Sequence, residues 1–509
     1  MLSMRYLRSF CLIPTLSFAV VVGFGFATEL QAGETSPGGT TKDSAGHRFS
    51  AEVVQRDLET LYGTLQSAHY YLFAHRSEAA YARHYRKALA SIDGPMSRLE
   101  ALKLFTAFVA YGKIGHARAN FPIQDYRAHV ESGGKILPLD IRVEGGKTFI
   151  THVYGDAPPF APGVELEAVD GRSITHWLVR VGRYVSSERL YMTHAQLEAM
   201  FPRLVWMVEG DRDAFEVTVR DEAGKKSTHS VDAVPVMTLE EHKGELQGRD
   251  FERKAERLED KIAYLHPGPF FALGDETLDD FETFVDDAFE SFLKAGAQDL
   301  VLDLRNNPGG DNSFSDPMIA WFAHKPFRFA SRFKVKTSPQ TREVLEGLAA
   351  KDPDGISAEM LKMMRQHQDG EIFDFEIPKA QPRQGKRFEG RVWILINRHS
   401  YSNATTVAAI VKDNGFGTVI GEETADVPTT YASSAQFTLP ETGLTITYPK
   451  AYFVRPNGNE DLRGVVPDHA LTFPLLASDE DPVLQEALAL IRSQRPSGAS
   501  TGKTSPIDG

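Results

Sequence analysis

The chain has 509 residues, of which 42% are apolar and 25% charged, a globular composition with room for roughly two to four domains rather than a disordered one. A net charge of −13, with no long lysine–arginine run to offset it, argues against a nucleic-acid binder. The single cysteine, Cys11, excludes a disulfide framework.

Arg5 and Arg8 precede the apolar run FCLIPTLSFAVVVGFGFA (10–27), and small residues follow. Residues 1–32 therefore read as an export signal cleaved near Ala27 or Ala32, which removes Cys11 and with it any thiol nucleophile. A retained anchor is the competing reading, because the run is close to the lower limit for spanning a bilayer. The expected location is the periplasm or the extracellular space, without lasting membrane insertion. Residues 33–48 are a polar, glycine-rich leader expected to stay flexible. In 49–134, the segments AEVVQRDLETLYGTLQSAHYYLF and SRLEALKLFTAFVAYG repeat apolar residues three and four apart, predicting an N-terminal helical region.

Strand patterns then dominate 135–238 (KILPLDIRV, KTFITHVY, VELEAVDG, AFEVTVRD), interrupted by a helical stretch at roughly 174–208. This predicts a small β-rich domain with a helical insert. The charged segment 239–260 predicts a solvated helix or linker. From 261 to 478 the pattern is α/β. A helix with Phe281, Val285, Ala288, Phe289 and Phe292 on one face leads to the strand DLVLDLR; later VWILIN, the helix ATTVAAIVKDNG and GTVIG follow. Strand–helix–strand units of this spacing imply right-handed parallel crossovers. Residues 331–390 break the rhythm and read as an insertion, and 479–509 as a helix followed by a polar, disordered tail.

Two strand ends carry unusual residues. In DLRNNPGG (303–310), Gly309 and Gly310 allow close backbone approach and outward-facing amides. In NRHSYSNATTVAAI (397–410), Ser402 and Asn403 stand where a helix begins, at its free amides and positive dipole end. A serine there, facing a Gly-Gly turn, has the arrangement of a nucleophile beside an oxyanion hole. The plainer readings are a helix cap and a turn. The sixteen histidines show no metal spacing, so no metal or organic cofactor is expected.

LVLDLRNNPGG, followed about ninety residues later by VWILINRHSYSNATTVAAIVKDNGFGTVIGEET and finally by LRGVVPDH (462–469), resembles the tail-specific (C-terminal processing) and tricorn-core serine protease superfamily. The resemblance covers roughly 261–475. It implies an α/β catalytic domain of crotonase-like ββα repeats, behind an N-terminal helical region and a PDZ-like middle domain. Members with a Ser–Lys pair place the lysine where this chain has Val427, so the resemblance is to the histidine-using, tricorn-like branch. It implies Ser402 as nucleophile, His116 (in GKIGHARANFP) as base and Asp461 as orienting acid, with neighbouring Glu460 as the second candidate. Gly309 or Gly310 and the Asn403 amide would form the oxyanion hole. His399 is a rival base by proximity alone. Thr405 stands where many members have glutamate, and Gly115 where some carry a hydroxyl residue.

The function implied is an exported serine endopeptidase acting on peptide or protein substrates. The alternatives are a noncatalytic peptide- or ligand-binding protein on the same fold, and an acyl hydrolase or esterase. Neither oligomeric state nor cleavage preference is legible in the sequence.

Overall fold

The computed structural model describes residues 48–155, 158–478 and 480–495. The expected signal (1–32), all of the leader but Arg48, and the polar tail beyond 495 lie outside the described residues.

Three helices open the chain: α1 (Ala51–Ala68), α2 (Glu78–Ala90) and α3 (Arg98–Ala110). Helix α3 starts at a capping box in which Ser97 and Glu100 satisfy each other's backbone amides. Their apolar faces share a core with the far end of the molecule, where Ile446 and Tyr448 join Leu58, Phe105 and Phe108. A two-residue strand, β1 (Arg118–Ala119), follows the helices.

The middle region is an antiparallel sheet of β2 (Leu139–Glu144), β3 (Lys147–Val153), β4 (Glu165–Val169), β5 (Ala214–Arg220) and β6 (Lys226–Asp232). Its order is β6-β5-β4-β3-β2. The helical insert appears as α4 (Ile174–Gly182) and α5 (Leu190–Glu209), whose Trp177, Leu197 and Phe201 fill one core with Ile141 and Val217. The charged segment is not wholly solvated. It belongs to α6 (Val236–Phe251), which buries Val236 and Leu239 and pairs Glu240 with the buried Arg203 at 2.8 Å.

The α/β region is built on β7 (Lys254–Arg257), β8 (Ile262–His266), β9 (Asp299–Asp303), β12 (Arg391–Ile396), β13 (Thr418–Gly421) and β16 (His469–Ala470), in the spatial order β7-β8-β9-β12-β13-β16. All neighbours run parallel except β7, an antiparallel edge strand that the charge pattern of 239–260 concealed. The sheet is buried on both faces, so its strands read as continuous apolar runs. In β12, Val392, Ile394 and Ile396 face a core shared with α7 (Leu278–Lys294), α8 (Asn312–Ala320) and α11 (Asn403–Asn414). Trp393 and Leu395 face α12 (Pro482–Ser493) through Val483, Ala487 and Ile491.

The expected insertion is folded. Its β10 (Arg332–Lys336), α9 (Pro339–Lys351), α10 (Ile356–Met364) and β11 (Ile372–Asp374) enclose a core of their own. Strand β10 pairs with β15 (Thr445–Val454), which pairs in turn with β14 (Thr430–Thr438), giving a second sheet of order β11-β10-β15-β14. Strand β1 joins this sheet, with Ala119 opposite Ile446 and Arg118 opposite Thr447. That short pairing fastens the segment just after His116 to the α/β half of the chain.

Candidate active site

The turns after β9 and β12 lock into each other through side chains that end the strands. Ser400 Oγ donates to the Leu304 carbonyl at 2.7 Å, and Asn397 Oδ1 accepts the Asn306 amide at 3.1 Å. The Tyr401 amide donates to the Asn307 carbonyl at 2.9 Å. This lattice explains the polar knot after VWILI: both strand ends need partners for backbone groups that leave the sheet. It delivers Ser402 to the start of α11 with φ 53° and ψ −119°, a conformation that a residue with a Cβ adopts only under constraint. The constraint comes from both sides. The Ser402 amide donates to Asp426 Oδ2 at 2.6 Å, and Thr406 donates to the Ser402 carbonyl at 3.0 Å.

Gly309 (φ 89°) and Gly310 (φ 137°) lie against this elbow. A Cβ on Gly309 would come within 2.6 Å of the Asn403 amide nitrogen and the Tyr401 carbonyl, and 2.8 Å of Ser402 Cβ. The Gly309 amide already donates to Asn307 Oδ1 at 2.8 Å, and its carbonyl accepts from Phe270 at 2.8 Å. The amides available at the turn are therefore those of Gly310 and, as the first residue of α11, Asn403. This narrows the sequence reading, which offered Gly309 and Gly310 equally.

His116 is brought to the same place although about 285 residues separate it from Ser402. Its ring stacks on Tyr401, the residue before Ser402, with centroids 5.6 Å apart. Both ring nitrogens are buried without a hydrogen-bond partner. Burial, helped by the nearby Arg118 cation, lowers its pKa to about 4, so the imidazole is neutral at physiological pH. Two carboxylates are buried in the same locality. Asp426 is raised to about 6 by burial, which the Val427 and Ser402 amides only partly offset. Glu188, between α4 and α5 of the middle region, is raised to about 7 by burial, with the Asp426 charge adding to the rise. Glu188 Oε1 accepts the Gly115 amide at 2.9 Å.

Residues 261–471 match the family model of peptidase family S41. This chain carries an S41 peptidase domain. The match makes the chain a serine-type peptidase through this segment. The chain is also similar in structure to mature CPAF complexed with lactacystin, at 14% identity over 87% of this chain and 98% of that one, with a TM-score of 0.62. A second structure, mature CPAF, gives 15% identity over 84% and 93%, with a TM-score of 0.60. At these identities the likeness is one of fold. No curated protein sequence matches the S41 chain.

The remaining sequence-derived positions of the S41 chain separate clearly. Asp461 is exposed and occupied locally, its Oδ2 accepting from Asn459 Nδ2 at 3.2 Å. Glu460 is engaged by Arg332 at 3.3 Å and by the Tyr452 hydroxyl at 2.8 Å. Neither is hydrogen-bonded to His116, whose ring is unpartnered. His399 is 3.3 Å from the buried Glu198. Val427 is buried and apolar, so the lysine position of the other branch holds no base. Thr405 Oγ1 donates to the Ser400 carbonyl at 2.9 Å, bracing the elbow from inside the helix.

The sequence reading missed Asp426, Glu188 and Arg398. Asp426 lies in GEETADV, where the only question asked concerned the lysine position. Glu188 stands among polar residues of VSSERL and carries no motif. Arg398 belongs to the quoted knot, and its guanidinium reaches Glu422, Glu198 and Glu144 at 2.5–2.9 Å.

Proposed function

We propose that this S41 chain is an exported serine endopeptidase in which Ser402 and His116 act as nucleophile and base. Ser402 Oγ attacks the scissile carbonyl carbon while His116 takes the hydroxyl proton and later returns it to the leaving amine. The Gly310 and Asn403 amides receive the developing oxyanion, a contribution of about 3–4 kcal/mol per donor in comparable sites. Gly309 serves through its missing side chain. The orienting acid suggested by the terminal signature is Asp461, with Glu460 second.

One observation carries this reading: the constrained backbone of Ser402, held at a helix start against a Gly-Gly turn and beside a neutral buried histidine. We divide the chain into 49–134, 135–238 and 261–478, the middle and last units each having a core largely their own and the first sharing its core with Ile446 and Tyr448 of the last. Within it we read the middle unit as PDZ-like and the last as crotonase-like ββα repeats. Export rests on residues 1–32, and the substrates are peptides or proteins, without a cofactor.

The test is fluorophosphonate labelling of the exported protein, with its N-terminus read by mass spectrometry. Wild type is expected to begin near residue 28 or 33 and to label, and Ser402→Ala and His116→Ala to lose labelling while keeping native circular dichroism. A folded wild type that stays unlabelled from about pH 6 to 9 overturns the relay. Turnover of esters without any cleavage in a peptide library makes the chain an acyl hydrolase instead.

A further inference from the structure

His116 needs an acid to fix its tautomer, and the site contains an unassigned one. Four carboxylates compete for the part. Asp461 and Glu460 are occupied on the outer surface by Asn459, Arg332 and Tyr452. Asp426 is buried, but Oδ2 holds the Ser402 amide and Oδ1 the Val427 amide. Glu188 differs from all three. Its Oε1 holds the Gly115 amide, the residue directly before His116, while its Oε2 is buried without a hydrogen-bond partner. Among the described residues no ion pair is formed by it, and only backbone amides offset its burial.

The sequence makes room for this carboxylate. A Cβ on Gly115 would lie 2.9 Å from Glu188 Oε2 and 2.5 Å from Met192 Cε. The Glu188 carboxylate fills the space that a side chain at position 115 would need. The same stretch of chain grips the nucleophile's surroundings. Arg189 pairs with Glu423 at 2.8 Å, Tyr191 donates to the Glu423 carbonyl at 3.2 Å, and Met192 packs with Tyr401 and Ala425. A buried acid with one empty oxygen thus holds the backbone amide next to a buried histidine with two empty nitrogens, and a hydrogen bond formed between the two side chains would satisfy an orphan on each side.

We infer that Glu188 is a positioning residue for the His116 base, its Oε2 accepting the imidazole Nδ1–H so that Nε2 faces Ser402. This rests on the reading of Ser402 and His116 as the working pair. The middle region thereby supplies part of the relay rather than substrate contacts alone. Proton balance is simple: the carboxylate accepts a hydrogen bond and stays ionised, while the serine proton moves only between Oγ, Nε2 and the leaving amine.

The orienting form is the carboxylate, so it is present above the Glu188 pKa and lost below it. The groups facing Glu188 are the Gly115 amide, which lowers that pKa, Asp426, which raises it, and the phenols of Tyr401 and Tyr431. Arg118 faces His116 and Tyr401, and Arg189 faces Asp426. With unpartnered Glu188 near 7 and His116 near 4, the rise of rate with pH belongs to the glutamate, with its midpoint at or below neutrality because a hydrogen bond from the imidazole favours the carboxylate.

The experiment combines two readouts on the full exported chain. The first is the rate of fluorophosphonate labelling across pH for wild type, Glu188→Gln, Glu188→Asp and Asp461→Asn. The second is NMR of nitrogen-labelled histidine, with His116 assigned by its loss in His116→Ala. Glu188→Gln is expected to slow labelling about 100-fold at pH 8 and to abolish the rise near pH 7, with Glu188→Asp recovering part of the rate. It is also expected to change the His116 tautomer signal, a readout that does not depend on turnover and so separates this inference from the peptidase reading. Glu188→Gln with an unchanged His116 signal, or with a wild-type pH profile, overturns the assignment. So does a pH profile displaced by Asp461→Asn and untouched by Glu188→Gln.

Discussion

Ser402 and Gly309 solve one steric problem between them. The serine takes a positive φ because its amide is tied to Asp426 and its carbonyl to the first turn of α11. It fits only because the neighbouring turn has no side chain there. Gly309→Ala places a Cβ within 2.6 Å of two backbone atoms, and neither can swing away as a side-chain end would. The native φ of 89° adds strain of about 1 kcal/mol or more. The expected outcome is a folded protein, destabilised by about 1–3 kcal/mol, whose serine labelling falls at least 100-fold. Labelling within a few-fold of wild type would show that the turn does not support the elbow. At this scale the sequence was informative where structure sits in a local motif, as for the two turns that bring Ser402, Asn403 and the glycines together. It was silent where a side chain takes its surroundings only from burial. Glu188 and Asp426 look like ordinary loop acids in sequence, because nothing local records that distant chain segments enclose them.

Elements carry His116 to its place. The helices α1–α3 pack on β15 through Ile446 and Tyr448, and the two residues of β1 pair with the same strand just after His116. Around that pairing the Asn120 amide donates to the Thr445 carbonyl at 3.0 Å, and Thr447 Oγ1 donates to Asn120 Oδ1 at 3.0 Å. Thr447 is buried, so replacing its hydroxyl by a methyl leaves the Asn120 acceptor without that partner. Thr447→Val is expected to cost about 1–3 kcal/mol and to lower kcat about tenfold, with KM changed less. Equal loss in an unrelated part of the fold, with normal turnover per folded molecule, would remove β1 from the mechanism. The strands of the parallel sheet were legible because period-two burial on both faces leaves continuous apolar runs, as in VWILI. Strand β7 was not, since an edge strand needs little apolar content and Lys254–Arg257 reads as solvated charge. Two residues of β1 are too few to show any period at all.

At the scale of the whole molecule, the middle region and the α/β region meet at Arg398. Its guanidinium binds Glu422 at 2.5 Å, Glu198 at 2.9 Å, Glu144 at 2.5 Å and the Val143 carbonyl at 3.1 Å. Glu198 lies on α5 and Glu144 ends β2, so one side chain from the nucleophile's own turn clamps both to the sheet end. The pKa values of Glu198 and Glu422 are held down against burial: at Glu198 by His399 and then Arg398, at Glu422 chiefly by Arg398. A buried pair of this kind adds little over an apolar substitute, but removing one partner leaves charge stranded in a low dielectric. Arg398→Met keeps the length of the side chain and leaves Glu198 only His399 at 3.3 Å and Glu422 only Arg142 at 3.9 Å as ion-pair partners, at an expected cost of about 3–5 kcal/mol. The cost depends on pH in a definite sense. Without the cation the folded pKa of Glu422, which Arg398 chiefly held down, rises above its unfolded value, and that of Glu198 rises less because His399 still lowers it, so the folded variant binds more protons than folded wild type. Stability of the variant relative to wild type is then lost as pH rises through those folded values, and recovered toward acid. Unfolding midpoints are expected to differ more between variant and wild type at pH 8 than at pH 5, and adding Glu198→Gln to recover part of the loss. A deficit under about 1 kcal/mol, or one that does not change with pH, would mean that the two regions are held together by their apolar contacts at Tyr191, Met192 and Tyr401 instead.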